Sequence, residues 1–198
     1  MNIGAATAWR TTKGSGSGIA IIDTGVDYTH PEVQERFGVS KGYNFVDQNN
    51  NPMDDNEHGT HVAGIVAGRT RGVAPEATLY ALKVLNEEGF GSMAYVLRAM
   101  DWVMEYNETH PAQINAVNLS LGSRSGNSVE ERMCQLLRRS GVSVIAAAGN
   151  EEVDLDIYKR EKNCCITSGQ DTEYASCQIW NKRGFVFRRY PKNAGISV

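Results

Sequence analysis

Short runs rich in apolar residues recur along the first 150 residues of the chain. These runs cover residues 18–22, 78–85, 114–119 and 142–147. Runs of this length without polar alternation are typical of parallel strands that are buried on both faces. The pattern therefore predicts a buried strand in each of the four ranges.

Two segments between these runs carry apolar residues at the spacing of a helix. In residues 92–107 the apolar side chains recur with the 3.6-residue period, and Ser92 can cap the first turn. Residues 128–139 begin with Ser128-x-x-Glu131, a capping box, and Gly141 is positioned to end the helix. Helices that alternate with buried strands predict an α/β fold, a parallel sheet with helices on both faces.

Residues 153–198 have a different character. Acidic and basic residues mix there without a period, and a short apolar segment at 185–187 is flanked by arginines. We therefore expect 153–198 to be an unmatched tail, poorly ordered or the product of a shifted reading frame. Such a tail would leave the outer edge of the 142–147 strand without a partner.

Composition narrows the classes of partner. The chain has 198 residues, a net charge of −3 and no apolar run long enough to span a membrane. This balance gives no reason to expect nucleic acid or an anionic membrane surface as a partner.

Residues 1–17 lack the basic start and apolar run of a signal peptide. The four cysteines show no zinc-ligand spacing and are expected to be thiols. Oligomeric state stays open.

Two residues have the setting that acid–base catalysis needs. Asp23 lies at the carboxyl end of the first predicted strand, and His58 opens the segment His58-Gly-Thr-His61. A carboxylate at such a position can orient an imidazole and stabilise its protonated form. The alternatives are an aspartate in an ordinary turn and a histidine that caps a helix. The pair His58 and His61 could also bind a metal, but a zinc protease would use His-Glu-x-x-His.

Asn150 follows the last predicted strand in Val144-Ile-Ala-Ala-Ala-Gly-Asn150. Its side-chain amide could donate a hydrogen bond to the oxyanion of a tetrahedral intermediate. The alternative is a loop asparagine in a left-handed turn after Gly149.

These three motifs, in this order, resemble those of the subtilisin-like serine proteases. The resemblance covers residues 1–152, which are identified as the amino-terminal part of such a peptidase domain. It implies a subtilisin fold cut short at its carboxyl side, and an endopeptidase that acts outside the cell. Asp23 would orient His58, His58 would be the general base and then the acid, and Asn150 would stabilise the oxyanion.

The resemblance also implies a binding site for an extended polypeptide substrate. Ser120, Leu121 and Gly122 resemble the family's substrate-binding strand edge, and Gly91 resembles the opposite rim of the cleft. A peptide would add there as a strand. The alternatives are an ordinary strand end and an ordinary loop before a helix.

The family's nucleophile motif does not follow Asn150. Ser168 lies in Ile166-Thr-Ser-Gly169, which imitates that motif only weakly. We therefore expect these residues to be a fragment that is inactive for lack of the nucleophilic serine. The alternative is a non-catalytic peptide-binding module, a pseudoprotease.

No cofactor is expected for the reaction, and calcium is the one metal that the sequence suggests. Asp47, Asn49 and Asn51 alternate as calcium ligands can. Some members of the resembled family bind calcium in the loop before the histidine helix. The alternative is a solvated loop.

Overall fold

The computed structural model describes residues 3–111, 113–123, 128–147, 165–167 and 196–197. The helices are α1 (Ala5–Ala8), α2 (His58–Ala67), α3 (Met93–Thr109) and α4 (Ser128–Arg139). The strands are β1 (Gly18–Asp23), β2 (Phe37–Asn44), β3 (Thr78–Lys83), β4 (Phe90–Gly91), β5 (Ile114–Leu119), β6 (Gly122–Ser123), β7 (Ser143–Ala147), β8 (Cys165–Thr167) and β9 (Ile196–Ser197). No described helix has both the length and the apolar character needed to cross a bilayer.

The main sheet has the order β2-β3-β1-β5-β7-β8, and its neighbouring strands pair in parallel. The chain adds strands on one side of β1 first and on the other side from β5 onward. In open α/β sheets, ligands bind beyond the carboxyl ends of the strands at such a reversal. The carboxyl end of β1 is Asp23.

Helices cover both faces of this sheet, as the sequence predicts. Ile21 packs in the cluster on the α2 side, which includes Ala63 of that helix. Its neighbour Ile22 packs in the other cluster, with Met100 of α3 and Leu137 of α4. Successive strand residues point to opposite faces, so a strand that is covered on both sides must be apolar at consecutive positions.

The four strands and two helices predicted within residues 18–147 are present, with small shifts at their ends. The Ser92 hydroxyl accepts a hydrogen bond from Ala94 N–H at 3.2 Å and so caps α3. The sequence did not predict β2, which has polar residues at 40 and 41 and is one edge of the described sheet. Gly42 in this strand has φ +116°, and a Cβ added there would lie 1.8 Å from the Ala81 carbonyl oxygen.

The expectation that the outer edge of the 142–147 strand has no partner is wrong. Residues Cys165–Thr167 pair in parallel with Ile145, Ala146 and Ala147 of β7. The segment is short and mixes apolar with polar residues, so hydrophobic pattern does not reveal it. Backbone hydrogen bonds, which any sequence can make, join it to the sheet. The short apolar segment at 185–187 lies outside the described residues.

Candidate active site

The sheet and α2 bring Asp23 and His58 into contact. The Nδ1 atom of His58 lies 2.8 Å from Oδ1 of Asp23, which is hydrogen-bonding distance. Asp23 ends the central strand β1, and His58 is the first residue of α2. The side chain of Asp23 is fully buried, whereas that of His58 is 33% exposed. One partner is therefore held in the core, and the other reaches the surface.

This contact changes the acid–base behaviour of His58. The hydrogen bond to Asp23 raises the pKa of the imidazole above its ordinary value of 6.5, although partial burial opposes the shift. The negative charges of Asp23 and Asp54 act in the same direction as the hydrogen bond. With Nδ1 bound to a carboxylate, the other ring nitrogen is left to exchange protons with a reacting group.

A second carboxylate, Asp54, organises the start of α2. Its Oδ2 accepts a hydrogen bond from Thr60 N–H at 2.9 Å, and its Oδ1 accepts from Asn56 N–H at 3.1 Å. Its Oδ1 also accepts from the Thr24 hydroxyl at 2.8 Å. Burial favours a higher pKa for Asp54, but the hydrogen bonds from Thr60, Thr24 and Asn56 outweigh it and lower the pKa below 3.8.

Thr24 joins the two elements that carry the pair. Its N–H donates to Asp23 Oδ1 at 2.7 Å, and its hydroxyl accepts from Gly59 N–H at 2.9 Å. A Cβ added to Gly59 would lie 2.0 Å from the Gly25 carbonyl oxygen. Glycine at position 59 therefore lets the helix approach the strand end closely enough for His58 to reach Asp23.

His61 lies away from this contact. It lines a cavity of about 1060 Å³ whose described lining also includes His30 and Ile65 but neither Asp23 nor His58. In the described part of the chain, no group of three or more histidine, cysteine or acidic side chains is arranged to hold a metal ion. His58 and His61 therefore do not line this cavity together.

Two of the predicted substrate-binding residues, Gly91 and Gly122, lie in a second, smaller sheet. The strand β9 lies between β4 and β6 and is antiparallel to both. Gly91 pairs with Ile196 on one side, and Gly122 pairs with Ser197 on the other. The structure thus brings the two predicted rims together around one extended segment.

Ser120 and Leu121 connect β5 of the main sheet to this smaller sheet. The Ser120 hydroxyl accepts a hydrogen bond from the Asn118 side-chain amide at 2.9 Å. Leu121 packs against the core cluster under α3 and α4. These contacts attach the β6 edge to the rigid part of the fold. Asn150 and Ser168, the predicted oxyanion donor and the weak nucleophile candidate, lie outside the described residues.

The candidate calcium loop is held by hydrogen bonds between its own groups. Asp47 Oδ2 accepts from the Asn44 side-chain amide at 3.0 Å, and Asn49 Oδ1 accepts from Asn51 N–H at 2.8 Å. Asn51 Oδ1 accepts from the Tyr28 hydroxyl at 2.7 Å. Each of these oxygens accepts a hydrogen bond from a protein donor, and calcium binding at this loop stays a prediction.

Three residues that hold the segments around Asp23 and His58 in place were not predicted from the sequence: Thr24, Asp54 and Lys83. A polar residue next to Asp23 and a lysine at the end of an apolar run were the available signals. Lys83 is only 1% exposed, and long charged side chains are almost never buried unless they are paired.

Comparison with protein families gives one match that covers most of the chain. The model of the subtilase family matches residues 14–181, a span that extends past residue 152.

Individual proteins that are similar to this chain are named as serine proteinases or subtilisin-like proteases. A thermophilic serine proteinase of Bacillus sp. (strain AK1) is 41% identical over 150 residues, which are 72% of this chain and 35% of the relative. Subtilisin-like protease 9 of Arthroderma benhamiae is 36% identical over 187 residues, which are 92% of this chain and 45% of the relative. The chain thus spans less than half the length of these relatives.

Among solved structures, a cold-adapted subtilisin-like serine proteinase superposes with a TM-score of 0.69 at 31% identity. The match covers 85% of this chain and 59% of that protein.

Proposed function

Because the chain belongs to the subtilase family, we propose that Asp23 and His58 serve peptide-bond hydrolysis by serine-endopeptidase chemistry. The observation that carries this proposal is the 2.8 Å contact between His58 Nδ1 and Asp23 Oδ1. It lies at the carboxyl edge of the central strand, where ligands bind in sheets of this kind.

The geometry supports a division of labour between these residues. Asp23 accepts the Nδ1 proton of His58, so the neutral imidazole presents an unprotonated Nε2 to a nucleophile. The imidazolium that forms after proton transfer is stabilised by the buried carboxylate, which agrees with the raised pKa of His58. Asn150 is proposed to donate to the oxyanion, on the motif resemblance alone.

The proposed substrate is an extended polypeptide that enters the gap between β4 and β6. Support comes from β9, since an extended segment already lies in this gap and pairs with Gly91 and Gly122. Main-chain pairing of this kind provides affinity with little dependence on side chains. Oligomeric state is left open, and we place the parent protein outside the cell because of the family resemblance.

The nucleophile is not assigned to a residue of the chain. We infer that these 198 residues by themselves do not turn over a peptide. In subtilisin, removal of the catalytic serine lowers kcat by a factor of about 2 × 10⁶. Stoichiometric labelling by a fluorophosphonate would contradict this inference, and the modified residue would be the nucleophile.

A chimera tests the proposed roles of Asp23 and His58. Residues up to Ala147 are joined to the carboxyl part of a subtilase that carries the family's serine, and peptide hydrolysis is measured. His58→Ala should reduce kcat by about 10⁴-fold or more, because the general base is lost. His61→Ala is the matched control on the same helix and should keep most of the activity. Equal losses in the two variants would reject the proposal.

A second candidate function is a non-catalytic peptide-binding module. The small sheet favours it, because the β4 and β6 edges pair with an extended segment between them. If the chimera is inactive but the original chain binds an extended peptide, this second function is the better description.

Two further proposals concern calcium and the boundary of the matched region. Calcium binding at Asp47, Asn49 and Asn51 is tested by the change in melting temperature when calcium is added to metal-free protein, with Asp47→Asn as the control. The division of the chain at residue 152 is tested by limited proteolysis, which should cut first within 153–198.

A further inference from the structure

Lys83 is a buried cation with three protein acceptors. It is the last residue of β3, and its Nζ donates to the carbonyl oxygens of Thr24 at 2.7 Å and Leu85 at 2.9 Å. Its third contact is with Asp55 Oδ1 at 2.6 Å. An ammonium group has three protons to donate, so these contacts satisfy it fully.

These acceptors belong to the segments that position the proposed catalytic pair. Thr24 follows Asp23 directly, and Asp55 lies in the loop that leads into α2, three residues before His58. Lys83 is also the register partner of Asp23 on the neighbouring strand. One buried side chain therefore connects the end of the strand that carries Asp23 to the approach of the helix that carries His58.

The positive charge of Lys83 is also relevant to the buried carboxylate of Asp23. Asp23 is fully buried, and within the described part of the chain its Oδ2 has no hydrogen-bond partner. A buried carboxylate is costly unless other charges or dipoles compensate for it. Lys83 carries a positive charge and is paired in register with Asp23 on the adjacent strand, whose axis lies about 4.8 Å away in sheets of this type.

We propose that Lys83 is a positioning residue for the Asp23–His58 pair. It acts through the Thr24 carbonyl and Asp55 to fix the carboxylate relative to the imidazole. This inference rests on the proposed function, because it assumes that the pair is the working part of the site. A purely structural role would require only that Lys83 stabilise the fold.

The test follows the titration of His58 by NMR in the intact chain. In Lys83→Met the pKa of His58 should fall by at least half of the fall that Asp23→Asn produces, and the low-field Nδ1 proton signal should weaken. Loss of a nearby cation alone would act in the opposite direction, because it favours protonation of His58. Combined with Asp23→Asn, Lys83→Met should cause no further fall, since it acts through that carboxylate.

Lys41→Met is the matched control. Lys41 Nζ donates to the Gly38 carbonyl on the edge strand β2, away from the pair. This variant should leave the titration of His58 unchanged. A Lys83→Met protein that melts at lower temperature but keeps the wild-type His58 titration would overturn the inference.

Asp55→Asn decides the question if Lys83→Met does not fold. Asp55 is 45% exposed, so the amide is readily accommodated. The fall that Asp55→Asn causes in the pKa of His58 is compared with the fall caused by Glu57→Gln. The second variant removes the same charge from the residue next to His58. A larger fall in Asp55→Asn supports the inference, and an equal or smaller fall overturns it. If Asp23→Asn itself leaves His58 unchanged, the proposed function has failed, and this inference fails with it.

Discussion

Gly59 and Gly25 lie so close that a single Cβ on Gly59 would come within 2.0 Å of the Gly25 carbonyl oxygen. Gly25 lies just beyond the strand that carries Asp23, and Gly59 follows His58 in α2. The approach of the helix to the strand end is thus set by main-chain contact. The Asp23–His58 distance depends on it.

Substitution of Gly59 by alanine should move α2 away from the strand. We expect a loss of about 1–3 kcal/mol in the free energy of unfolding, because a backbone oxygen cannot yield as a side chain can. The NMR signature of the His58 hydrogen bond should also weaken. Gly64→Ala on the same helix is the control, since nothing lies within 4 Å of its added Cβ. That variant should be neutral or slightly stabilising.

Charge on His58 should make part of the stability depend on pH. The folded-state pKa of His58 is raised above 6.5 by the Asp23 hydrogen bond. Its contribution is therefore fully present below pH 6.5 and is lost as the pH rises through the raised pKa. Urea unfolding of wild type and Asp23→Asn should differ most at the acidic end of this window. In a His58→Gln background this pH-dependent part should disappear, and a difference that persists there would refute the assignment.

Asp54 should stabilise the start of α2. Asp54→Ala removes the acceptor for Thr60 N–H and Asn56 N–H, and we expect a loss of about 0.5–2 kcal/mol, as for other capping residues. Because the pKa of Asp54 is lowered, this stability is present above pH 3.8 and is lost as the pH falls through the lowered pKa. Thermal melts between acid and neutral pH measure it. Asp101→Ala, at an exposed position of α3, is the matched control and should leave the melting temperature nearly unchanged.

The segment that forms β9 should compete with added peptides for the gap between β4 and β6. Ile196→Pro removes the N–H that a paired strand uses, whereas Ile196→Ala keeps it. We expect the proline variant to bind a labelled extended peptide several-fold more tightly than wild type, as measured by fluorescence anisotropy, and the alanine variant to resemble wild type. Equal affinities in all three proteins, with rapid amide exchange at Gly122, would show that β9 does not close the gap.

Much of the fold follows from local pattern. The runs rich in apolar residues mark β1, β3, β5 and β7, because a strand that is covered on both faces buries side chains at consecutive positions. Ile21 and Ile22 show the reason, since adjacent residues enter different core clusters. The motifs around Asp23 and His58 could likewise be recognised in the sequence, because each combines a reactive side chain with the small residues that close packing requires.

Other features depend on the tertiary structure. The strands β8 and β9 are short and carry no clear period, and main-chain pairing with distant strands joins them to their sheets. Thr24, Asp54 and Lys83 are ordinary polar residues in the sequence, and their roles arise from partners that lie far along the chain. Hydrophobic periodicity records which face of an element is buried. It carries no record of which donor meets which acceptor across elements, and that pairing is decided only when the chain folds.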